Sequence, residues 1–199
     1  LLNKDINFLQ NHLESIKRGI AFSLSLQNES GAIAWNVDDK GEVDEDYLLT
    51  GCSSITKSLE CGIAICQILG HKSLEKEWRI AHAKLIKAIE NPAGIFDLKK
   101  DRSKFSMDSY YPILGGVNPK KAASSLISNI KTTFWIEGLG IKCVADEPWV
   151  TVAETSECSI AFKKMGEDEI ALELLHNAIA IVDSRSIPYM GWQYNENIY

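Results

Sequence analysis

Residues 53–89 read SSITKSLECGIAICQILGHKSLEKEWRIAHAKLIKAI, which is the pattern of a helical hairpin. In the first half, apolar residues such as Ile55 and Leu59 recur four residues apart, as they do along one face of a helix. Gly70 then interrupts the pattern, in the way that glycine commonly ends a helix. The second half regains the same period around Trp78. This stretch therefore predicts two antiparallel helices joined by a tight turn.

The same periodicity covers most of the chain. Apolar residues recur at intervals of three or four, and the short turns between paired helices fall at glycine or asparagine. Strand signals are confined to short pieces of the loops. The predicted helices run over residues 5–26, 53–69, 73–89, 108–114, 119–132, 148–165 and 167–182.

Long loops and tight turns alternate along the chain, which indicates a repeat. The unit of long loop, helix, tight turn and helix recurs about every 50 residues. Residues 60–64 (ECGIA) are echoed by residues 157–161 (ECSIA) at the same place in the unit. The long loops cover residues 27–50, 91–107, 133–147 and 184–199.

Hairpins that repeat in this way either stack into an open solenoid or close into a ring. Because all the long loops would gather at one end, we favour an all-α, (α/α) toroid of alternating inner and outer helices. The prediction is a single toroid domain over residues 1–199 with about three and a half hairpins. The last residues form a loop with no inner helix after it, so the ring is expected to be incomplete. The start is also expected to be missing, because the sequence does not begin with Met.

Composition narrows the function classes. The 199 residues include 21 Lys and Arg against 27 Asp and Glu, a net charge of −6, which argues against a nucleic-acid partner. No apolar run approaches the roughly 20 residues of a membrane span. The five cysteines form no Cys-x-x-Cys pair and no disulfide framework, which predicts a reducing, cytoplasmic location.

Four segments resemble a known group of proteins. Residues 25–35 (SLQNESGAIAW) are similar to the Gln-x-x-x-Gly-x-Trp repeat of squalene and terpenoid cyclases. Together with residues 108–116 (DSYYPILGG), 143–157 (CVADEPWVTVAETSE) and 191–194 (GWQY), they resemble bacterial α/α-toroid proteins described as prenyltransferase-like. The resemblance implies a toroid with a ligand site at its loop-lined mouth. It specifies the fold more closely than the reaction.

The motifs that prenyl chemistry requires are not found in these residues. There is no Asp-x-Asp-Asp acid motif, and Asp38-Asp39 lacks the partner carboxylate of a diphosphate-binding Asp-Asp-x-x-Asp. The zinc ligands of protein prenyltransferases have no matching cluster either. Glu173-x-x-His176 has a metal-ligand spacing but occurs once, on a predicted outer helix. The sequence thus predicts neither a metal nor another cofactor.

Asp146 and Glu147 precede Pro148 and Trp149 at the predicted start of the sixth helix. Proline suits the first turn of a helix, so one of these carboxylates is expected to cap it. The functional alternative is a general acid or base beside Trp149 at the mouth. Since capping pushes the pKa of a carboxylate down, a base or nucleophile is the better fit.

Further carboxylates are candidates for the same mouth. Glu154 and Glu157 lie three residues apart on one helix face, where they either line a cavity or join a structural network. Asp108 is expected to cap the fourth helix or to act as an acid beside Tyr110 and Tyr111. Two carboxylates that flank a glycosidic bond would make a hydrolase.

Aromatic residues cluster in the predicted loops and could bind sugar rings or isoprenoid chains. Covering the apolar mouth of the ring is the structural alternative for any one of them. The candidate binding residues are Trp35, Tyr110, Tyr111, Trp149, Trp192 and Tyr194.

Three functions remain open. The leading hypothesis is an enzyme of the prenyltransferase-like toroid group, acting on a small molecule with Asp108, Asp146, Glu147 and Glu154 as catalytic candidates. The alternative is a carbohydrate-active toroid, either a glycoside hydrolase or a sugar epimerase, whose substrate is a glycan. A noncatalytic binding or scaffold protein is the third. Because long loops precede inner helices, the carboxylates and the aromatic residues are expected to converge on one concave face.

Overall fold

The computed structural model describes residues 5–117, 125 and 127–199. This part of the chain is mainly helical, with strands of only two or three residues in the loops, which confirms the predicted helical class. No helix within these ranges is long and apolar enough to cross a membrane. The chain divides into two compact units, Leu1–Lys99 and Lys100–Tyr199. The single closed or incomplete ring over residues 1–199 stays a prediction.

The first unit contains three long helices. They are α1 (Ile6–Ser25), α2 (Leu49–Leu69) and α3 (Lys72–Glu90), close to the predicted bounds. The side chain of Asp5 caps α1 by accepting a 2.9 Å hydrogen bond from the backbone N–H of Phe8.

Helix α2 begins four residues earlier than the sequence predicted. The predicted first residue, Ser53, lies inside the helix, and its hydroxyl donates to the Leu49 carbonyl at 2.7 Å. Thr50 and Cys52 of the extra turn are buried, and the Cys52 thiol contacts the backbone of Ile33 in the preceding loop. The predicted end is confirmed, since Gly70 adopts the left-handed conformation with φ 78°.

Close packing of the three helices depends on Gly62 in α2. A Cβ atom at this position would lie 2.6 Å from Cδ1 of Ile20 and 2.8 Å from Cζ3 of Trp78. Trp78 is 1% exposed and is one of the largest buried side chains. The glycine therefore lets α1 and α3 approach α2 without an intervening side chain.

A side-chain hydrogen bond connects the loop after α1 to α3. Nε2 of Gln27 donates to the carbonyls of Gly31, at 2.9 Å, and Ala81, at 3.1 Å. Gly31 has φ 93°, and a Cβ there would collide with the backbone carbonyl of Lys84. These two residues of the cyclase-like repeat thus have a structural role. The loop continues into the antiparallel strands β1 (Asn36–Val37) and β2 (Val43–Asp44).

The second unit combines short helices with two strand pairs. The helices are α4 (Met107–Leu114), α5 (Val152–Met165) and α6 (Asp168–Ala180). The strand pairs are β3 (Trp135–Ile136) with β4 (Gly140–Ile141) and β5 (Trp149–Thr151) with β6 (Gly191–Gln193). Half of the predicted helix over residues 119–132 lies outside the described residues, as does position 118, which precedes it. Its described end is a π-helical segment, Ile130–Phe134.

The predicted start of the sixth helix at Pro148 is wrong. Residues Trp149–Thr151 instead form β5, which pairs with β6 in the register Val150 to Trp192. The corresponding helix, α5, begins at Val152. Strand pairing with a segment about 40 residues away overrides the local helix signal of the proline.

Helices α5 and α6 form the hairpin predicted from residues 148–165 and 167–182, and Gly166 ends α5 with φ 87°. The buried hydroxyl of Ser159 donates to the Ala171 carbonyl at 2.7 Å and so joins the two helices. Among the described residues of this unit, one buried cluster contains Tyr110, Ile113, Ile130, Phe134, Ile141, Cys158, Ala161, Phe162, Ala171 and Leu174.

Candidate active site

The carboxylates of Glu154 and Glu157 lie on one side of the first two turns of α5. The positions are three residues apart, and both side chains are half-buried. Helix α5 follows directly from β5, so the strand pair fixes where the helix begins. The prediction that these two residues share one helix face is confirmed.

Glu157 is held by two phenols from α4. The hydroxyl of Tyr110 donates to Oε2 and that of Tyr111 donates to Oε1, each at 3.1 Å. Tyr110 is fully buried and Tyr111 partly buried, with their ring centroids 5.5 Å apart. Each carboxylate oxygen therefore has its own donor, which fixes the plane of the group.

Both phenols remain protonated donors at neutral pH. Burial, followed by the negative charge of Glu157, raises the pKa of Tyr111 to about 12. The pKa of Tyr110 is also raised, for the same reasons in the same order. The negative charge of Glu154 also raises the pKa of both phenols.

Glu154 occupies the first turn of α5, where the helix dipole favours a negative charge. Its Oε2 accepts a hydrogen bond from the hydroxyl of Thr151, the last residue of β5. The thiol of Cys143 also lies beside it. Burial first, and then the charge and hydrogen bonding of Glu154, raise the pKa of Cys143 to about 11, so this cysteine is a thiol rather than a thiolate.

The sequence predicted that Asp108 could cap the fourth helix, and that prediction is wrong. Helix α4 begins at Met107 with Ser106 before it, and no side chain makes the capping hydrogen bond. Oδ2 of Asp108 instead accepts from Nε of Arg102 at 3.1 Å, and the two side chains are 12% and 20% exposed. The Arg102 guanidinium lies 4.7 Å from the ring centroid of Phe105. The aspartate is thus part of an ion pair at the start of the helix that carries both tyrosines.

Asp146 and Glu147 are exposed in a turn before β5. Since α5 begins at Val152, neither carboxylate caps a helix, and the capping prediction is wrong. Pro148 does mark a boundary in the local structure, but it lies at the end of a turn and does not start a helix.

The aromatic residues of the β5–β6 ribbon face in different directions. Trp192 is directly opposite Val150, so it shares a face with that buried residue, and Trp149 points to the other face. The Trp192 ring stacks on Tyr199 with centroids 5.6 Å apart. The backbone N–H of Tyr194 donates to the Pro148 carbonyl at 3.2 Å, so these candidates belong to one ribbon.

Trp35 belongs to the first unit, where its side chain is 61% exposed. Sequence reasoning singled out Glu154 and both tyrosines, but it missed that the tyrosines hold Glu157 and that Thr151 and Cys143 contact Glu154. The three-residue spacing of the two glutamates was the signal that paired Glu157 with Glu154 in the sequence. Across the ranges that the structure describes, no group of three or more His, Cys, Asp or Glu side chains could hold a metal ion.

No model of a known protein family matches the chain. A curated relative, the MMP endo-(1,4)-3-O-methyl-alpha-D-mannosidase of Mycolicibacterium hassiacum, is 37% identical to it over 167 residues. The match covers 84% of this chain and 45% of the relative, so the chain spans just under half of the relative's length. The name of this relative agrees with the carbohydrate-active alternative better than with the prenyltransferase-like hypothesis.

Proposed function

We propose that this chain forms part of a glycoside hydrolase that cleaves α-linked mannose units within a glycan. The pair of half-buried carboxylates on α5, held beside two tyrosines, carries the proposal. The substrate class comes from the mannosidase to which most of this chain is similar. Glu154 and Glu157 are the proposed catalytic pair.

Hydrolysis of a glycosidic bond needs two carboxyl groups with different tasks. One protonates the leaving oxygen, while the other activates water or attacks the sugar carbon directly. Glu154 and Glu157 supply two such groups on one helix face. The C–O bond breaks, water adds across it, and no redox partner or cofactor is consumed.

The neighbours of the pair have a positioning role in this proposal. Tyr110 and Tyr111 fix the orientation of Glu157, and Thr151 fixes that of Glu154. Such preorganisation matters because a misplacement of about 1 Å can cost on the order of 100-fold in rate. Asp108 contributes indirectly, since its ion pair with Arg102 supports the start of α4.

The remaining candidates are assigned to contact with the glycan. Asp146 and Glu147 are exposed on the turn before β5, and Trp149, Trp192 and Tyr194 are carried by the adjoining ribbon. Sugar rings pack well against flat aromatic faces with polar edges.

The test is product analysis by mass spectrometry with the full-length protein. Its substrates are an oligosaccharide of (1,4)-linked 3-O-methyl-α-D-mannose, a maltooligosaccharide as a matched α-1,4-linked control, and an isoprenyl diphosphate. We expect shorter oligosaccharides from the mannose compound, and neither chain shortening of the control nor turnover of the diphosphate. Turnover of the diphosphate with an intact mannose oligosaccharide would contradict the proposal.

A further inference from the structure

The first unit contains a cavity that the proposed hydrolysis does not use. Its volume is about 310 Å³, at the lower end of the range for small-molecule sites. The loop before α2 contributes Asp46 and Tyr47, and the loop after α3 contributes Ile95 and Leu98. The two loops are joined by a 2.9 Å hydrogen bond from the backbone N–H of Asp97 to the Tyr47 carbonyl, so the cavity walls are fixed to each other.

Asp46 is the feature that points to a ligand. The residue is only 7% exposed, and its backbone carbonyl accepts a 2.8 Å hydrogen bond from Trp35. In the described part of the chain, no group donates a hydrogen bond to its carboxylate. The ammonium group of Lys99 contributes its charge nearby, but it forms its ion pair with Asp44 at 2.5 Å. The carboxylate lines the cavity, so its oxygens are available to accept hydrogen bonds from the hydroxyls of a ligand.

The rest of the lining suits a hydroxyl-rich ligand. Ser30 donates its hydroxyl to Oδ1 of Asn28 at 2.6 Å, so this contact does not use the amide hydrogens of Asn28, which can donate to a ligand. The ring of Tyr47 and the side chains of Ile95 and Leu98 supply an apolar wall. Acceptors, donors and an apolar face together match a sugar ring, which has hydroxyls at its rim and C–H groups on its faces.

A metal ion fits this lining less well. The cavity includes Glu45 and Asp46, but within the described ranges no set of three metal-binding side chains comes together. Hard cations such as Ca²⁺ take six to eight oxygen ligands, far more than two carboxylates provide.

We infer that this cavity binds one hexose unit of a neutral glycan, with Asp46 accepting hydrogen bonds from its hydroxyls. The inference goes beyond the proposed hydrolysis, because it concerns binding in the first unit and needs no turnover. It rests on the proposed function only in the choice of mannose as the probe.

The test is nuclear magnetic resonance titration of the full chain with methyl α-D-mannopyranoside. We expect the backbone amide signals of Tyr47 and Gly94, which line the cavity, to shift and saturate. Asp46→Asn should weaken this binding about tenfold or more, because a charged acceptor is lost. Asp39→Asn is the matched control, since Asp39 is an exposed carboxylate on the same loop and should leave binding unchanged.

Each outcome separates this inference from the proposed function. Saturable shifts at the cavity without cleavage of the mannose oligosaccharide would support the inference and overturn the hydrolase. Absence of shifts, equal binding by Asp46→Asn, or shifts with CaCl₂ alone would overturn the inference, even if the protein hydrolyses mannosides. If Asp46→Asn does not fold, the variant Asn28→Ala is tested in its place. It should weaken binding because it removes the amide donor of Asn28.

Discussion

At the scale of single residues, the chemistry of the candidate active site depends on hydrogen bonds to two carboxylates. Glu157 accepts from Tyr110 and Tyr111, and Glu154 accepts from Thr151. The phenols come from a helix more than 40 residues away in sequence, so no local pattern encodes the contacts. Their effect is to hold one carboxylate in one orientation while the other remains beside the helix N-terminus.

Removal of a single phenol hydroxyl tests this positioning role. Tyr111→Phe should lower kcat about tenfold on the mannose oligosaccharide and leave KM within about twofold, because Glu157 loses one of its two donors. Tyr189→Phe is the control, since Tyr189 packs against Tyr199 with ring centroids 4.7 Å apart. Steady-state kinetics of the two variants gives the comparison. A rise in KM with kcat unchanged would contradict a positioning role for Tyr111.

At the scale of secondary-structure elements, the two hairpins follow the same plan with different contacts. In the first, Gly62 allows α2 to pack directly against Trp78 of α3. In the second, Ser159 bonds to the Ala171 carbonyl of α6. Both first helices end at a glycine with positive φ, which is the local signal that made the hairpins predictable.

Alanine at two glycines should change stability in opposite directions. Gly62→Ala should lower the free energy of unfolding by about 1–3 kcal/mol, because its Cβ would overlap Ile20 and Trp78. Gly19→Ala should raise it by about 0.5–1 kcal/mol, because Gly19 lies within α1 with no atom within 4 Å of the added Cβ. Urea denaturation of both variants measures the two changes. Stabilisation by Gly62→Ala would contradict the close packing.

At the scale of the whole molecule, local signals predicted the helices, whereas distant contacts determined the strand pairs and the hydrogen bonds of the candidate site. Periodicity and terminal glycines located both hairpins, whereas the start of α5 was wrong because Trp149–Thr151 pairs with Gly191–Gln193. The same limit applies to the site. The spacing of Glu154 and Glu157 was visible in the sequence, but their hydrogen-bond partners depend on how α4 packs against α5.

The catalytic pair is the central claim, and turnover by three glutamine variants of the full-length protein tests it. Glu154→Gln and Glu157→Gln each replace a proposed catalytic carboxylate, while Glu173→Gln changes an exposed carboxylate on α6. We expect the first two to lower kcat/KM on the (1,4)-linked 3-O-methyl-α-D-mannose oligosaccharide by about 100- to 10,000-fold, and the third to leave it within about twofold. Unfolding curves close to that of the unmodified protein would show that the loss is chemical. Unchanged turnover in both Glu154→Gln and Glu157→Gln would contradict the account.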